Sequence, residues 1–184
     1  MSVAIVYETH STTLDNEPGF ATGWLPGELS YAGRENAADL GRRRRDDAID
    51  AVFTSDLARA VETARIAFGD SGVPIIQDAR LRECNYGDLN GAPVATLNAD
   101  RACRIEAPFP GGESYRQVVQ RTQDFLGDLA RDWDGKRVVL IAHSANRWAL
   151  QTLLNGTTLL EGVVAPFEWQ EGWSYTLPSC WTGD

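Results

Sequence analysis

The chain has 184 residues, of which 43% are hydrophobic and 23% are charged, and its formal net charge is −9. This length and composition are typical of one globular domain, here residues 1–184, with a full hydrophobic core. The negative charge argues against a partner such as duplex nucleic acid, which requires a basic surface, and no apolar run approaches the length of a membrane span.

The pattern of apolar residues predicts strands that alternate with helices. A mostly buried strand over residues 3–8 comes first, and a helix capped at Ser30 follows it. That helix ends in an arginine run, Arg42–Arg45, where cations oppose the negative end of the helix dipole. We interpret this run as a solvated helix end.

The middle of the chain has the pattern of a second strand over residues 50–56, followed by a helix that Ser55 or Asp56 caps. A third, short strand is predicted over residues 73–78. Residues 80–112 are irregular and rich in Gly, Pro and Asn. Because this segment is too long for a plain connector, we expect it to carry function.

The last third begins with a capping box, Ser114 and Gln117, ahead of a long helix. A strand that is apolar on both faces, residues 137–142, precedes a helix closed by Asn155–Gly156, and a last strand is predicted over residues 172–178. Strands that alternate with helices imply an α/β fold, a three-layer α/β/α sandwich around a mostly parallel sheet.

Both histidines of the chain, His10 and His143, directly follow predicted strands. In an open parallel sheet, ligands bind at the carboxyl ends of the strands. Either histidine alone is better interpreted as a hydrogen-bonded structural residue, but the two together favour a functional site. A metal held by both histidines and Glu83 is a rival that we disfavour, because no two of these residues have close ligand spacing.

Two further residues suit phosphate chemistry. Arg59 is predicted in the first turn of a helix, where a guanidinium and free backbone N–H groups favour a phosphate. Glu83 opens the long irregular segment, and burial would allow it to act as a general acid. Taken alone, a solvated arginine and an exposed glutamate are the competing interpretations.

Five motifs, in order along nearly the whole chain, resemble those of the histidine phosphatase superfamily, the phosphoglycerate mutase-like fold. They are His10 with Asn16 six residues later, SDLARAVETA from Ser55 to Ala64, LRECNYGDLNG with Glu83, PGGES from Pro110 to Ser114, and VVLIAHS with His143. Each motif alone is weak, but the ordered set is specific.

The resemblance implies a phosphatase that hydrolyses a small phosphomonoester without a metal or an organic cofactor. His10 would attack phosphorus and form a phosphohistidine, Glu83 would protonate the leaving alcohol and then activate water, and Arg59 and His143 would hold the phosphoryl oxygens. The residues expected to bind phosphate or substrate around them are Thr9, Ser11, Asn16, Ser144 and Arg147.

One departure from the family pattern precedes His10. The family has an arginine at that position and this chain has Thr9, so the pocket has one cation fewer. In one alternative, another arginine takes this role, and the first candidate is Arg147, one turn into the helix after His143. In a second alternative, the substrate needs less charge compensation or carries its own cation. In the third alternative the protein is a weakly active or non-catalytic binder of phospho-ligands.

The short chain favours a phosphatase over a phosphoglycerate mutase-like phosphotransferase, since mutases of this fold have extra segments that close over a bisphosphate. The expected partner is a small phosphorylated metabolite, and a homodimer is left open. Three cysteines without metal-ligand spacing and an N-terminus unlike a secretory signal favour a reduced, cytoplasmic protein.

Overall fold

A five-stranded sheet forms the centre of the structure, a computed structural model that describes residues 1–183. The strands are β1 (Ser2–Thr9), β2 (Ala51–Thr54), β3 (Ile75–Gln77), β4 (Arg137–Ala142) and β5 (Trp173–Pro178), in the spatial order β3-β2-β4-β1-β5. The first four are parallel to one another, and β5 pairs antiparallel with β1 at the edge. The sheet is therefore mostly parallel, as predicted.

Helices cover both faces of this sheet. The helices are α1 (Tyr31–Arg43), α2 (Ala58–Phe68), α3 (Val94–Asp100), α4 (Tyr115–Asp132), α5 (Ser144–Asn155) and α6 (Leu159–Val164). One apolar cluster joins α1 and α2 to the sheet, and another joins α4 and α5 to the opposite face. The α/β class and the three-layer arrangement are confirmed.

Strand β4 is apolar at consecutive positions because both of its faces are buried. Val139 and Ile141 belong to the cluster under α1 and α2, whereas Val138 and Leu140 belong to the cluster under α4 and α5. All four side chains are fully buried. Since each such side chain contributes roughly 1.5–3 kcal/mol on burial, β4 is the central stabilising strand.

Several helix ends follow their sequence signals. The hydroxyl of Ser30 accepts a hydrogen bond from the Gly33 amide at 3.1 Å, which caps α1. Ser114 and Gln117 form the predicted capping box of α4. Gly156 closes α5 with a φ of 71°, a left-handed conformation that glycine adopts without strain.

The predicted cap of α2 is wrong. The helix begins at Ala58, and its N-cap residue, Leu57, makes no side-chain capping bond among the described residues. The hydroxyl of Ser55 lies 2.7 Å from a ring nitrogen of His143, and the carboxylate of Asp56 pairs with Arg82 at 2.6 Å. Both side chains are occupied by distant partners, which the local sequence does not reveal.

Two short helices were not predicted. Helix α3 lies inside the segment expected to be irregular, residues 80–112, and its N-cap position, Pro93, offers no side-chain acceptor. Helix α6 begins at a capping box formed by Thr158 and Glu161. That box has the Thr-x-x-Glu spacing, so a signal for α6 was present in the sequence.

The arginine run at the end of α1 is only partly solvated, which corrects its interpretation. Arg43 and Arg44 turn inward and pair with the carboxylate of Glu8, a buried residue of β1. A charge removed from water is costly unless it is paired, so Glu8 draws these two side chains inward. Within residues 1–183, no helix has both the length and the apolar character needed to cross a membrane.

Candidate active site

The two histidines meet because their strands are neighbours. Thr9 pairs with Ala142 in the parallel register of β1 and β4, and the amide of His10 donates to the Ala142 carbonyl at 2.9 Å. His10 and His143 therefore leave the sheet at the same level, and their ring centroids lie 5.0 Å apart. The sheet edge places both imidazoles in one site.

The hydrogen bonds of His10 define its tautomer, and so which ring nitrogen carries the lone pair. Nδ1 lies 2.8 Å from the carbonyl oxygen of Ser11, which accepts only, so Nδ1 carries the proton. Nε2 accepts a hydrogen bond from Nε of Arg59 at 3.3 Å. Burial, followed by the Arg59 charge, lowers the pKa of His10 to about 3. The ring is neutral at physiological pH, and its Nε2 lone pair, which accepts from Arg59, becomes available for attack once that hydrogen bond is exchanged.

Arg59 is the central cation of the site. Its side chain is 2% exposed and lies in the first turn of α2. Besides His10, it donates to the carbonyls of Gly23 at 2.7 Å and Leu25 at 3.4 Å, and to Nδ1 of His143 at 3.3 Å. No carboxylate of the described residues forms an ion pair with it, so the guanidinium keeps its charge for an anionic ligand.

His143 lies behind His10 and Arg59 and is fully buried. Because Arg59 donates to Nδ1, the proton of the neutral ring is on Nε2, which donates to the Ser55 hydroxyl at 2.7 Å. Burial and Arg59 hold the pKa of His143 well below its usual value. Both ring nitrogens of His143 are therefore hydrogen-bonded, and the ring positions Arg59. His143 could contact a phosphoryl oxygen only if one of these two hydrogen bonds were exchanged.

Glu83 reaches the same cavity from the segment after β3. Its Oε1 accepts from the Cys84 amide at 2.8 Å and from the Ala145 amide, in the first turn of α5, at 3.2 Å. Its backbone carbonyl is fixed by the Trp24 indole at 2.7 Å and by Arg121 at 2.9 Å. Burial, the largest influence, raises the pKa of the carboxyl, which favours the protonated form that a general acid needs.

His10, Arg59 and Glu83 line one cavity of about 830 Å³ at the carboxyl edge of the sheet, whereas His143 lies behind its wall. The predicted site residues on its wall are Thr9, His10, Ser11, Asn16, Arg59, Glu83 and Ser144. The wall also carries two arginines that sequence reasoning missed, Arg43 and Arg101. Arg101 stacks over the Trp148 ring at 4.9 Å, and its charge acts on Glu83.

The expected position of Arg147 in the phosphate site is wrong. Arg147 is not part of the wall that the described residues form around the cavity. Its guanidinium lies over the rings of Trp173 at 4.9 Å and Phe167 at 5.5 Å. Aromatic faces attract a desolvated cation, and these two rings come from the C-terminal part of the chain, far from Arg147 in sequence.

A metal centre does not fit these residues. Arg59 donates to Nε2 of His10 and to Nδ1 of His143, so a guanidinium already occupies the position between the two rings. Across residues 1–183, no group of three His, Cys, Asp or Glu side chains is arranged to hold a metal ion. The site is instead cationic through arginine, which suits an oxyanion.

Known proteins resemble this chain over most of its length. The model of the histidine phosphatase superfamily (branch 1) matches residues 9–163. A 2,3-bisphosphoglycerate-dependent phosphoglycerate mutase of Methylobacterium sp. (strain 4-46) is 33% identical over 178 residues, covering 86% of this chain and 83% of that protein. A similarly named mutase of Cytophaga hutchinsonii is 33% identical over 159 residues, covering 79% and 74%.

Two solved structures are similar along most of their length. YhfR of Bacillus stearothermophilus superposes with a TM-score of 0.82 at 27% identity, covering 92% of this chain and 88% of that one. A mycobacterial glucosyl-3-phosphoglycerate phosphatase superposes with a TM-score of 0.75 at 26% identity, covering 89% and 84%. The region that the family model matches, residues 9–163, contains both histidines, Arg59 and Glu83.

Proposed function

The chain belongs to the histidine phosphatase superfamily, and from this premise we propose that it is a phosphatase that hydrolyses a small phosphomonoester through a phosphohistidine, without a metal. The observation that carries the proposal is the pairing of a neutral His10, whose Nε2 lone pair meets Arg59, with a protonatable Glu83 on the wall of the same cavity. A nucleophile, a cation and an acid are the groups that phosphoryl transfer needs.

In the first step, the Arg59 donor exchanges Nε2 of His10 for a phosphoryl oxygen, and the freed Nε2 lone pair attacks phosphorus. The N–P bond forms while the bond from phosphorus to the alcohol oxygen breaks, and the proton of Glu83 passes to that oxygen. Arg59 holds the charge on the equatorial oxygens, where a fixed cation in a site partly closed to water is most effective. The products of this step are the free alcohol and a phosphohistidine beside a Glu83 carboxylate.

In the second step, water enters the position that the alcohol leaves. Glu83 takes a proton from the water as its oxygen attacks phosphorus, and the N–P bond breaks with its electrons returning to Nε2. Inorganic phosphate leaves, and both His10 and Glu83 regain their starting states. The carbonyl of Ser11 keeps the proton on Nδ1 throughout, so that Nε2 is the reactive atom in each cycle.

A phosphoglycerate mutase-like transferase is the second candidate, since the curated relatives bear mutase names. The same phosphohistidine would then pass its phosphoryl group to a second alcohol instead of water. The phosphatase name of a solved neighbour supports hydrolysis.

The test is a panel of phosphorylated metabolites, assayed for phosphate release and, with monophosphoglycerates, for isomerisation. The proposal expects phosphate release that His10→Ala abolishes and that a chelator does not change. Isomerisation much faster than release would favour the mutase. Release that stops on chelation would contradict the metal-independent mechanism.

A further inference from the structure

The cavity wall beside Thr9 carries an arginine from another element. Thr9 ends β1 and lines the cavity with a short side chain. Arg43, in the last turn of α1, lines the same cavity and contacts Glu8, the neighbour of Thr9 on the strand. A dianionic phosphoryl group would therefore meet Arg59 on one side and, on the side of Thr9, a space next to Arg43.

Arg43 is held loosely. Its Nη2 is 3.5 Å from a carboxylate oxygen of Glu8, at the limit of a hydrogen bond, and its Nε is 4.0 Å from the Glu171 carboxylate. That Nε is buried and has no hydrogen-bond partner among the described residues. The guanidinium lies 5.9 Å from the centre of the Trp169 ring, another residue of the cavity wall. Few strong bonds oppose its movement.

Glu8 keeps a second cation at Oε1 when Arg43 leaves Oε2. Arg44 binds Oε1 of Glu8 through two nitrogens, at 2.8 Å and 3.1 Å, and also donates to the Glu171 carbonyl at 2.8 Å. A buried carboxylate that loses its single cation is strongly destabilising, but Glu8 would keep Arg44. Arg43 can thus leave Glu8 without stranding a buried charge.

The distance to be crossed is short. Glu8, Thr9, His10 and Arg43 all line the same cavity. The long arginine side chain moves along this wall by changing rotamers. We propose that Arg43 binds the phosphoryl group on the Thr9 side and supplies the cation that position 9 lacks.

This inference rests on the phosphatase function proposed above and replaces Arg147 in the compensating role. Arg147 is not on the cavity wall that the described residues form, and its guanidinium packs against Trp173 and against the outer side of Phe167, a residue of that wall. Arg101 lies on that wall but acts on Glu83, the acid on the leaving-group side. Arg43 is the lining arginine that contacts β1 next to Thr9.

The experiment compares kcat/KM for p-nitrophenyl phosphate in wild type, Arg43→Ala, Thr9→Arg and the double variant. We expect Arg43→Ala to lose on the order of 100-fold, and Thr9→Arg to restore most of that loss in the double variant. The matched control is Arg45→Ala, since Arg45 is exposed just after α1 and does not line this cavity. It should keep the wild-type rate. Arg101→Ala should lose activity that Thr9→Arg does not restore.

Unchanged activity in Arg43→Ala would overturn the inference, and so would a double variant no better than Arg43→Ala. If removal of the side chain impairs folding, Arg43→Gln keeps a hydrogen-bonding group near Glu8 and should show the same loss. Binding of inorganic phosphate by calorimetry gives a readout independent of turnover. A wild type without turnover on any phosphomonoester contradicts the proposed function; Arg43 is then judged by phosphate affinity alone, which must weaken in Arg43→Gln.

Discussion

Nε of Arg59 donates a hydrogen bond to Nε2 of His10 at 3.3 Å, so the cation of the site and the lone pair of its histidine point at each other. The same guanidinium reaches His143 and two backbone carbonyls. It acts as a fixed fork that holds both imidazoles in defined tautomers. A phosphoryl group entering this site meets a cation whose position is set before binding, and such preorganisation is what makes electrostatic catalysis effective.

We expect Arg59→Lys to lower kcat/KM by on the order of 100-fold, because a single ammonium cannot reproduce the planar set of donors. The two imidazoles would lose their common donor although a positive charge remains. The measurement is steady-state kinetics on the best substrate of the panel. Arg65→Lys, an exposed change further along α2, is the control and should be silent. A rate near that of wild type in Arg59→Lys would mean that charge alone suffices.

Substitution Glu83→Gln tests the general acid. It should slow hydrolysis of an alkyl phosphate, which has a poor leaving group, far more than that of p-nitrophenyl phosphate, because a good leaving group needs little protonation. The ratio of the two kcat/KM values is the quantity to measure. Equal losses on both substrates would show that Glu83 organises the cavity without transferring a proton.

The pH profile of kcat/KM follows from two shifted pKa values. The pKa of His10 is lowered to about 3, so the nucleophile stays neutral as pH falls from 7 to 4, where an ordinary imidazole would become protonated. The pKa of Glu83 is raised, so its acid form persists above the usual range and is lost as pH rises through the raised value. Activity should fall on the basic side, and Glu83→Gln should remove that fall. A loss of activity centred near pH 6.5 on acidification, beyond the loss that protonation of the substrate dianion causes, would contradict the neutral His10.

Ser55→Ala tests how His143 is held. Without the Ser55 hydroxyl, Nε2–H of His143 loses its acceptor, and the other tautomer would point a proton at Arg59. We expect kcat to fall about tenfold, equivalent to about 1.4 kcal/mol. Ser71→Ala is a suitable control, since its hydroxyl caps the end of α2. If kcat is unchanged and only the thermal stability falls, Ser55 has a structural role alone.

The sheet and the meeting of the two histidines were predictable, because both depend on local signals joined by a general rule. Apolar runs marked β1 and β4, and histidines that end parallel strands must emerge at the same edge. Their register, Thr9 beside Ala142, then needed only that the two strands be neighbours. The same holds for helix ends such as Gly156, where one residue carries the signal.

The roles of the arginines were not predictable, because partners distant in sequence decide them. Four consecutive arginines, Arg42–Arg45, span the C-terminal end of α1 and the residues after it, and Glu8, in another element, decides which of them turn inward. Arg147 has the right spacing from His143, yet Phe167 and Trp173 hold it away from the cavity. Sequence spacing predicts which element carries an arginine, whereas tertiary packing decides where its guanidinium lies.

The most direct test of the account is to trap the intermediate. Wild-type protein is mixed with a phosphate-labelled substrate and denatured at high pH within one turnover, and the labelled peptide is identified by mass spectrometry. We predict label on His10 that is stable in base and lost in acid, and none in His10→Ala. Turnover with no protein-bound phosphate, or label on another residue, would contradict His10 as the nucleophile.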